Sequence, residues 1–219
     1  MTEEMKVNNE ETTEQEAPQR NAERANVVTF PKPYTFEGKE YTEIGLGGLD
    51  GMTIQDAVKA QTRLFGQQEI ASTLVCETTT AFAMEIAAAA SGMPVEFFKY
   101  MPRGTGKAVK LAVQGYLGNT KNKGTGAVLV FEKPYLWKDT TYTEVDLSAI
   151  SDMTIMHETA AENEMARAGV IITENSFNYL YACIIAGMAT GLKKEFFTGL
   201  PLRELLKLKE TVNSTDFFE

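Results

Sequence analysis

Polar and apolar residues exchange places in two rhythms along this chain, first at the spacing of extended backbone and then at that of helix, and the whole series occurs twice. Residues 27–36 and 41–46 set β-branched and aromatic side chains between polar ones, with Glu37-Gly38-Lys39 separating the two stretches, which predicts a β-hairpin. Residues 128–137 and 142–147 repeat the pattern about Lys138-Asp139-Thr140. Met52-Thr53-Ile54-Gln55-Asp56 then predicts a helix start, with Thr53 as N-cap and Asp56 closing a near capping box. Thr154 and His157 take those places in the second block, where the carboxylate is missing. Ile70, Leu74, Phe82 and Ile86 recur at four or multiples of four, which predicts one long helix over residues 68–90 stopped by Gly92, with a counterpart stopped by Gly191. Pro94 suits the first turn of a short helix carrying Phe97 and Phe98, and a last helix follows Pro102 in one block and Pro201 in the other.

The two blocks are copies. FPKPYTFEGKEYTEIGLGGLDGMTIQDAVKA from Phe30 and FEKPYLWKDTTYTEVDLSAISDMTIMHETAA from Phe131 align without a gap at a shift of about 101 residues. SGMPVEFFKYMP from Ser91 matches TGLKKEFFTGLP from Thr190 at a shift of about 99, so a short deletion separates the halves. The expected organisation is a disordered acidic arm at residues 1–26, repeat unit one at 27–117, a Gly/Asn/Lys-rich linker at 118–126 and repeat unit two at 127–219. The expected fold class is α+β, each unit a β-hairpin followed by three or four helices.

Composition narrows the function classes. The 219 residues are 43% hydrophobic and 23% charged, which excludes wholesale disorder, while residues 1–26 have almost no apolar side chains and carry about −4 of the charge. A net charge of −9 argues against nucleic acid as a partner, since phosphate binding needs clustered Lys and Arg. The longest apolar run, residues 179–192, falls short of the roughly 20 residues a membrane span needs. With no basic and apolar leader pattern at the N-terminus, the reading is a soluble, cytoplasmic protein without a membrane partner.

Candidate chemistry is thin. Gly104-Thr105-Gly106-Lys107 resembles the end of a phosphate-binding loop, but Met101 and Ala108 stand where that pattern needs glycine and a hydroxyl. Gly45-Leu46-Gly47-Gly48 reads as a turn, and its copy lacks the glycines. His157 is the single histidine and has neither a second metal ligand nor a triad partner at a useful spacing, and Cys76 and Cys183 occupy non-equivalent positions and read as small buried hydrophobes. No catalytic residue, cofactor site or metal site is assigned, and the protein is expected not to be an enzyme. What both copies retain is aromatic: Tyr34 and Tyr135, Phe36 and Trp137, and the pairs Phe97-Phe98 and Phe196-Phe197. These read either as core or, because adjacent helical residues point about 100° apart, as a binding edge to which one ring of each pair contributes. Met84, Met93, Met101 and Met188 would give such an edge an adaptable lining.

The stretches KPYTFEGKEYTEIGLGGLDGMTIQDAVKAQ (residues 32–61) and GMPVEFFKYMPRGTGKAVKLAVQGYL (residues 92–117) resemble the tail assembly chaperones of tailed bacteriophages. The resemblance lies in the Lys-Pro-aromatic opening, the Gly-centred turn, the β-segment ending in Leu, and the helix opened by Thr53 and Asp56. It extends over residues 27–218 as two copies, where family members usually have one. It implies a non-enzymatic phage or prophage protein of the host cytoplasm that binds the long helical tape measure protein and keeps it soluble while tube subunits assemble. The tail tube protein is then a second partner, and Phe97, Phe98, Phe196, Phe197, Tyr34 and Tyr135 are the candidate partner-binding residues. A structural tail or adaptor component retained in the virion is the alternative.

Overall fold

The computed structural model describes residues 26–73, 75–120, 126–170 and 174–214. The arm expected at 1–26 and the middle of the linker expected at 118–126 therefore lie outside the described residues, apart from Asn26. The fold is α+β, and each copy is a hairpin followed by four helices. Copy one comprises β1 (Val27–Phe36), β2 (Lys39–Gly45), α1 (Ile54–Gly66), α2 (Thr80–Ser91), α3 (Val95–Lys99) and α4 (Arg103–Gly118). Copy two comprises β3 (Val128–Trp137), β4 (Thr140–Asp146), α5 (Ile155–Arg167), α6 (Tyr179–Thr190), α7 (Lys194–Thr198) and α8 (Leu205–Val212).

Both hairpins are antiparallel and share one register. Tyr34 faces Tyr41 and Tyr135 faces Tyr142, with an irregularity between Thr29 and Tyr34 that recurs between Val130 and Tyr135, where Pro33 and Pro134 cannot donate to a ladder. The turns have positive φ at both central residues, Glu37 and Gly38 in one copy and Lys138 and Asp139 in the other, as a two-residue turn matched to strand twist requires. The second turn keeps this geometry without a glycine.

The single helix expected over residues 68–90 is instead a series of shorter elements. Gln68 takes a positive φ just past α1, two 3-10 turns follow at Ile70–Thr73 and Cys76–Thr78, and α2 begins only at Thr80. Thr79 sets that start, because its hydroxyl accepts the Phe82 N–H at 3.2 Å and so satisfies a first-turn donor. Asn178 does the same for α6, accepting from Leu180 at 2.9 Å and Tyr181 at 3.2 Å. Cys76 accordingly lies in a 3-10 turn rather than in a long helix. Gly92 and Gly191 end α2 and α6 in the left-handed conformation, as expected.

The capping boxes differ in chemistry and agree in geometry. The Asp56 carboxylate accepts the Thr53 N–H at 3.0 Å, and His157 Nδ1 accepts the Thr154 N–H at 3.0 Å, so the ring nitrogen replaces the lost carboxylate oxygen.

The two copies share one hydrophobic core. Buried residues from both form a continuous cluster, Phe82 packs edge-on against Tyr179 with ring centroids 5.7 Å apart, and Arg203 pairs with Asp50 at 2.5 Å. The deepest seam lies where the start of α1 meets the segment after α7. Ile54 N–H donates to the Leu200 carbonyl and Leu202 N–H donates to the Met52 carbonyl, each at 2.9 Å, forming a one-residue antiparallel bridge between Thr53 and Pro201.

Candidate helix-binding groove

The six aromatic residues nominated from the sequence belong to the core under the hairpins. Phe97 is the hub of copy one, with Tyr34, Phe36, Tyr41 and Phe98 edge-on at 4.9–5.3 Å and Phe30 at 6.5 Å. Phe196 gathers Phe131, Tyr135, Trp137, Tyr142 and Phe197 in the same way. Of the two readings of these pairs, core and outward-facing edge, the structure has the core: Phe97, Phe98, Phe196 and Phe197 are all buried, none more than 3% exposed, so no ring of either pair forms a binding edge. Adjacent rings 100° apart on a five-residue helix both find cover because α3 and α7 lie between a hairpin and the preceding helix. Tyr34 is buried and Tyr135 half-buried, and burial raises both phenols above their ordinary range.

The surface with the shape and chemistry of a binding site lies elsewhere, and copy two shows what such a surface holds. There α6, α7 and the chain after Pro201 receive α1 of copy one. Ile54, Leu200 and Leu202 are fully buried at the contact. Gln61 reaches across at the middle of the helix: its amide nitrogen donates to the Phe177 carbonyl at 2.8 Å and its amide oxygen accepts the Tyr179 N–H at 3.0 Å. A buried polar side chain with both ends satisfied fixes the helix in one register.

In copy one the same face is an open groove of about 510 Å³ between α2, α3 and α4. Its floor is Met84 and Met101, both buried, and Leu111 is exposed at its edge. Its rim is cationic, with Lys99, Arg103, Lys107 and Lys110 around the opening. None of the four takes part in an ion pair among the described residues. At the copy-two positions stand Thr198, Leu202, Leu206 and Lys209, so the second copy has uncharged side chains at three of the four places and keeps the cation at the last. Gly104-Thr105-Gly106-Lys107, weighed above as a phosphate loop, forms the first turn of α4, and Lys107 belongs to the groove rim. The signal that could have found the groove was available: after the repeat is aligned, three positions differ between copies by gain of a cation.

The reactive side chains are placed away from this groove. Cys76 and Cys183 are fully buried. Burial pushes the Cys76 thiol up to about 12 and that of Cys183 further, so neither supplies a thiolate at neutral pH. Burial also raises the Tyr179 and Tyr181 hydroxyls, and each donates to a carboxylate, Glu77 at 2.8 Å and Glu158 respectively. Among the described residues no group of three or more His, Cys, Asp or Glu side chains is close enough to hold a metal ion, and no helix is long and apolar enough to cross a membrane. What the groove offers is an apolar floor with unpaired cations, the complement of an amphipathic helix bearing acidic residues beside its apolar stripe. Comparisons with protein-family models, with curated proteins and with solved structures return no match for this chain.

Proposed function

We propose that this protein is a non-enzymatic tail assembly chaperone of a bacteriophage or prophage, acting in the host cytoplasm, which binds the tape measure protein and keeps it soluble while the tail tube assembles. The client and the setting rest on the family resemblance of residues 32–61 and 92–117. The observation that carries the binding mode is the equivalence of two grooves: the one in copy two holds an amphipathic helix, and the one in copy one presents the same architecture to solvent. A long helical client with apolar stripes and flanking carboxylates suits that groove.

Co-expression with the tape measure protein encoded beside it tests the reading. The expected result is recovery of soluble client bound to this chain, reduced at least tenfold by Arg103→Glu with Lys107→Glu. Failure to recover the client, together with presence of this protein in purified virions, would replace the proposal with a structural tail or adaptor component.

A further inference from the structure

The internal seam between the copies is heterologous, because different surfaces of the repeated unit meet. Copy one contributes the start of its first long helix, at Thr53 and Ile54, and copy two contributes the segment Leu200-Pro201-Leu202 with the groove behind it. Each copy has both surfaces, so one of each kind is left over. Copy two retains Thr154 and Ile155 at the start of α5, with Ile155 79% and Met156 81% exposed. Copy one retains Met101-Pro102-Arg103 and the groove lined by Met84, Met101 and Lys107. Ile155 N–H and Arg103 N–H, the counterparts of the two donors in the internal bridge, make no such bridge.

We infer that α5 of one molecule docks in the copy-one groove of a second molecule, repeating between chains the contact that α1 makes with copy two within a chain, so that the protein self-associates head to tail. The seam seen within the chain supplies the geometry, and charge supplies the selectivity. Helix α5 carries Glu158, Glu162 and Glu164 against a single Arg167 at its far end, whereas α1 has Ala57, Gln61 and Arg63 at the corresponding places. Tyr181 and Lys194 engage Glu158 and Glu164 within the chain, which leaves Glu162 as the acid placed to enter the groove. Glu162 corresponds to Gln61, whose oxygen accepts the first N–H of α6, so in the docked pair one carboxylate oxygen meets the first N–H of α2, at Thr80, beneath the rim of Lys99, Arg103, Lys107 and Lys110, while the bond that Gln61 donates to the Phe177 carbonyl has no counterpart, the Thr78 carbonyl accepting from Gln114 instead. Glu162 already accepts from Asn175 through one oxygen at 2.9 Å and has the other available.

The contact between chains is weaker than the internal one, because Thr159 and Ala166 replace Val58 and Phe65 on the helix and Arg103 replaces Leu202 on the groove. It is therefore concentration-dependent and salt-sensitive where the internal seam is permanent. A heterologous contact leaves one free end at each terminus of the series, and the rotation relating the two copies determines whether it closes into a ring. Since the inference concerns the groove assigned above to the client, a client helix and a second copy exclude one another there.

Sedimentation velocity of the full chain alone tests the inference. The weight-average mass should rise with protein concentration in about 0.05 M salt and fall back toward the monomer in about 0.5 M salt. Ile155→Lys removes the helix end and Arg103→Glu with Lys107→Glu removes the groove. Both changes lie at exposed positions, and circular dichroism checks that the fold is retained. Each variant alone should remain monomeric, and an equimolar mixture should stop at a dimer, since each supplies the surface the other lacks. A wild type that is monomeric throughout, or association that survives Ile155→Lys, or a mixture that stays monomeric, would overturn the inference. Client recovery by the Ile155→Lys variant separates the two readings, because that variant keeps its groove and should still bind client even where self-association is lost or was never present.

Discussion

Ile54 and Ile155 open equivalent helices of a duplicated unit, and one is fully buried while the other is 79% exposed. The side chain and its local backbone are the same, and both helices begin with a capping box. The difference is made far away in sequence, in the other copy, where Leu200, Pro201 and Leu202 cover Ile54, while among the described residues nothing covers Ile155 in the same way. A heterologous contact inside a tandem repeat always produces such a pair, one member satisfied and one left over.

The aromatic hubs should govern stability rather than recognition. Phe97→Ala and Phe196→Ala each remove a fully buried ring in contact with five others, at an expected cost of about 3–5 kcal/mol. Urea denaturation followed by far-UV circular dichroism should show a large fall in midpoint for both. A variant that kept wild-type stability and lost only partner binding would return these residues to the binding surface.

Gly48 is held to glycine by close approach rather than by its dihedral angles. A Cβ there would lie 2.1 Å from the Ala90 carbonyl oxygen, a backbone atom that cannot swing aside, whereas one at Gly47 would meet nothing within 4 Å. Gly48→Ala should therefore cost about 1–3 kcal/mol while Gly47→Ala stays within about 0.5 kcal/mol of wild type. The contrast is informative because Ala149 stands at the corresponding position of copy two.

The capping box of α1 should weaken in acid. Burial acts to raise the Asp56 carboxyl, but the N–H and hydroxyl of Thr53 and the nearby Lys59 outweigh it and hold the group below its ordinary 3.8. A carboxyl depressed on folding stabilises the protein above its unfolded-state pKa, and that contribution disappears as pH falls through the folded-state value. Asp56→Ala should thus cost about 1 kcal/mol at neutral pH and progressively less below about pH 4. Thermal melts of both proteins at stepped pH would converge in acid, and a constant difference down to pH 2 would contradict the assignment.

Lys207 holds the last helix to the second hairpin. Its ammonium group, buried among Glu204 at 2.6 Å, Glu132 at 3.2 Å and the Val130 carbonyl at 2.7 Å, neutralises two carboxylates that are themselves almost wholly buried. Lys207→Met removes the cation the two carboxylates share and should cost about 3–5 kcal/mol, while Lys207→Met with Glu132→Leu and Glu204→Leu should recover much of the loss. Equal destabilisation of the single and triple variants would show that packing of the lysine stem, and not its charge, is what matters.

The repeat, the hairpins, the capping residues and the glycine stops were legible without coordinates, because each depends on residues within a few positions of one another. Pattern reasoning failed at residues 68–90, where fourfold spacing suggested one helix, whereas the positive φ of Gln68 turns the chain out of α1 and the Thr79 hydroxyl starts α2 only at Thr80. It left Phe98 and Phe197 open between core and edge, since whether the second ring of an adjacent pair is covered depends on which element packs over it. The groove stayed hidden because its residues come from three helices and its identity depends on comparison with the filled groove of the other copy. Local sequence therefore determined what each unit is: a hairpin and three or four helices, written twice, with their turns and glycine stops. Only the tertiary structure decided how the units meet, because a single chain can satisfy one heterologous contact between two copies and must leave the matching helix end and groove facing solvent.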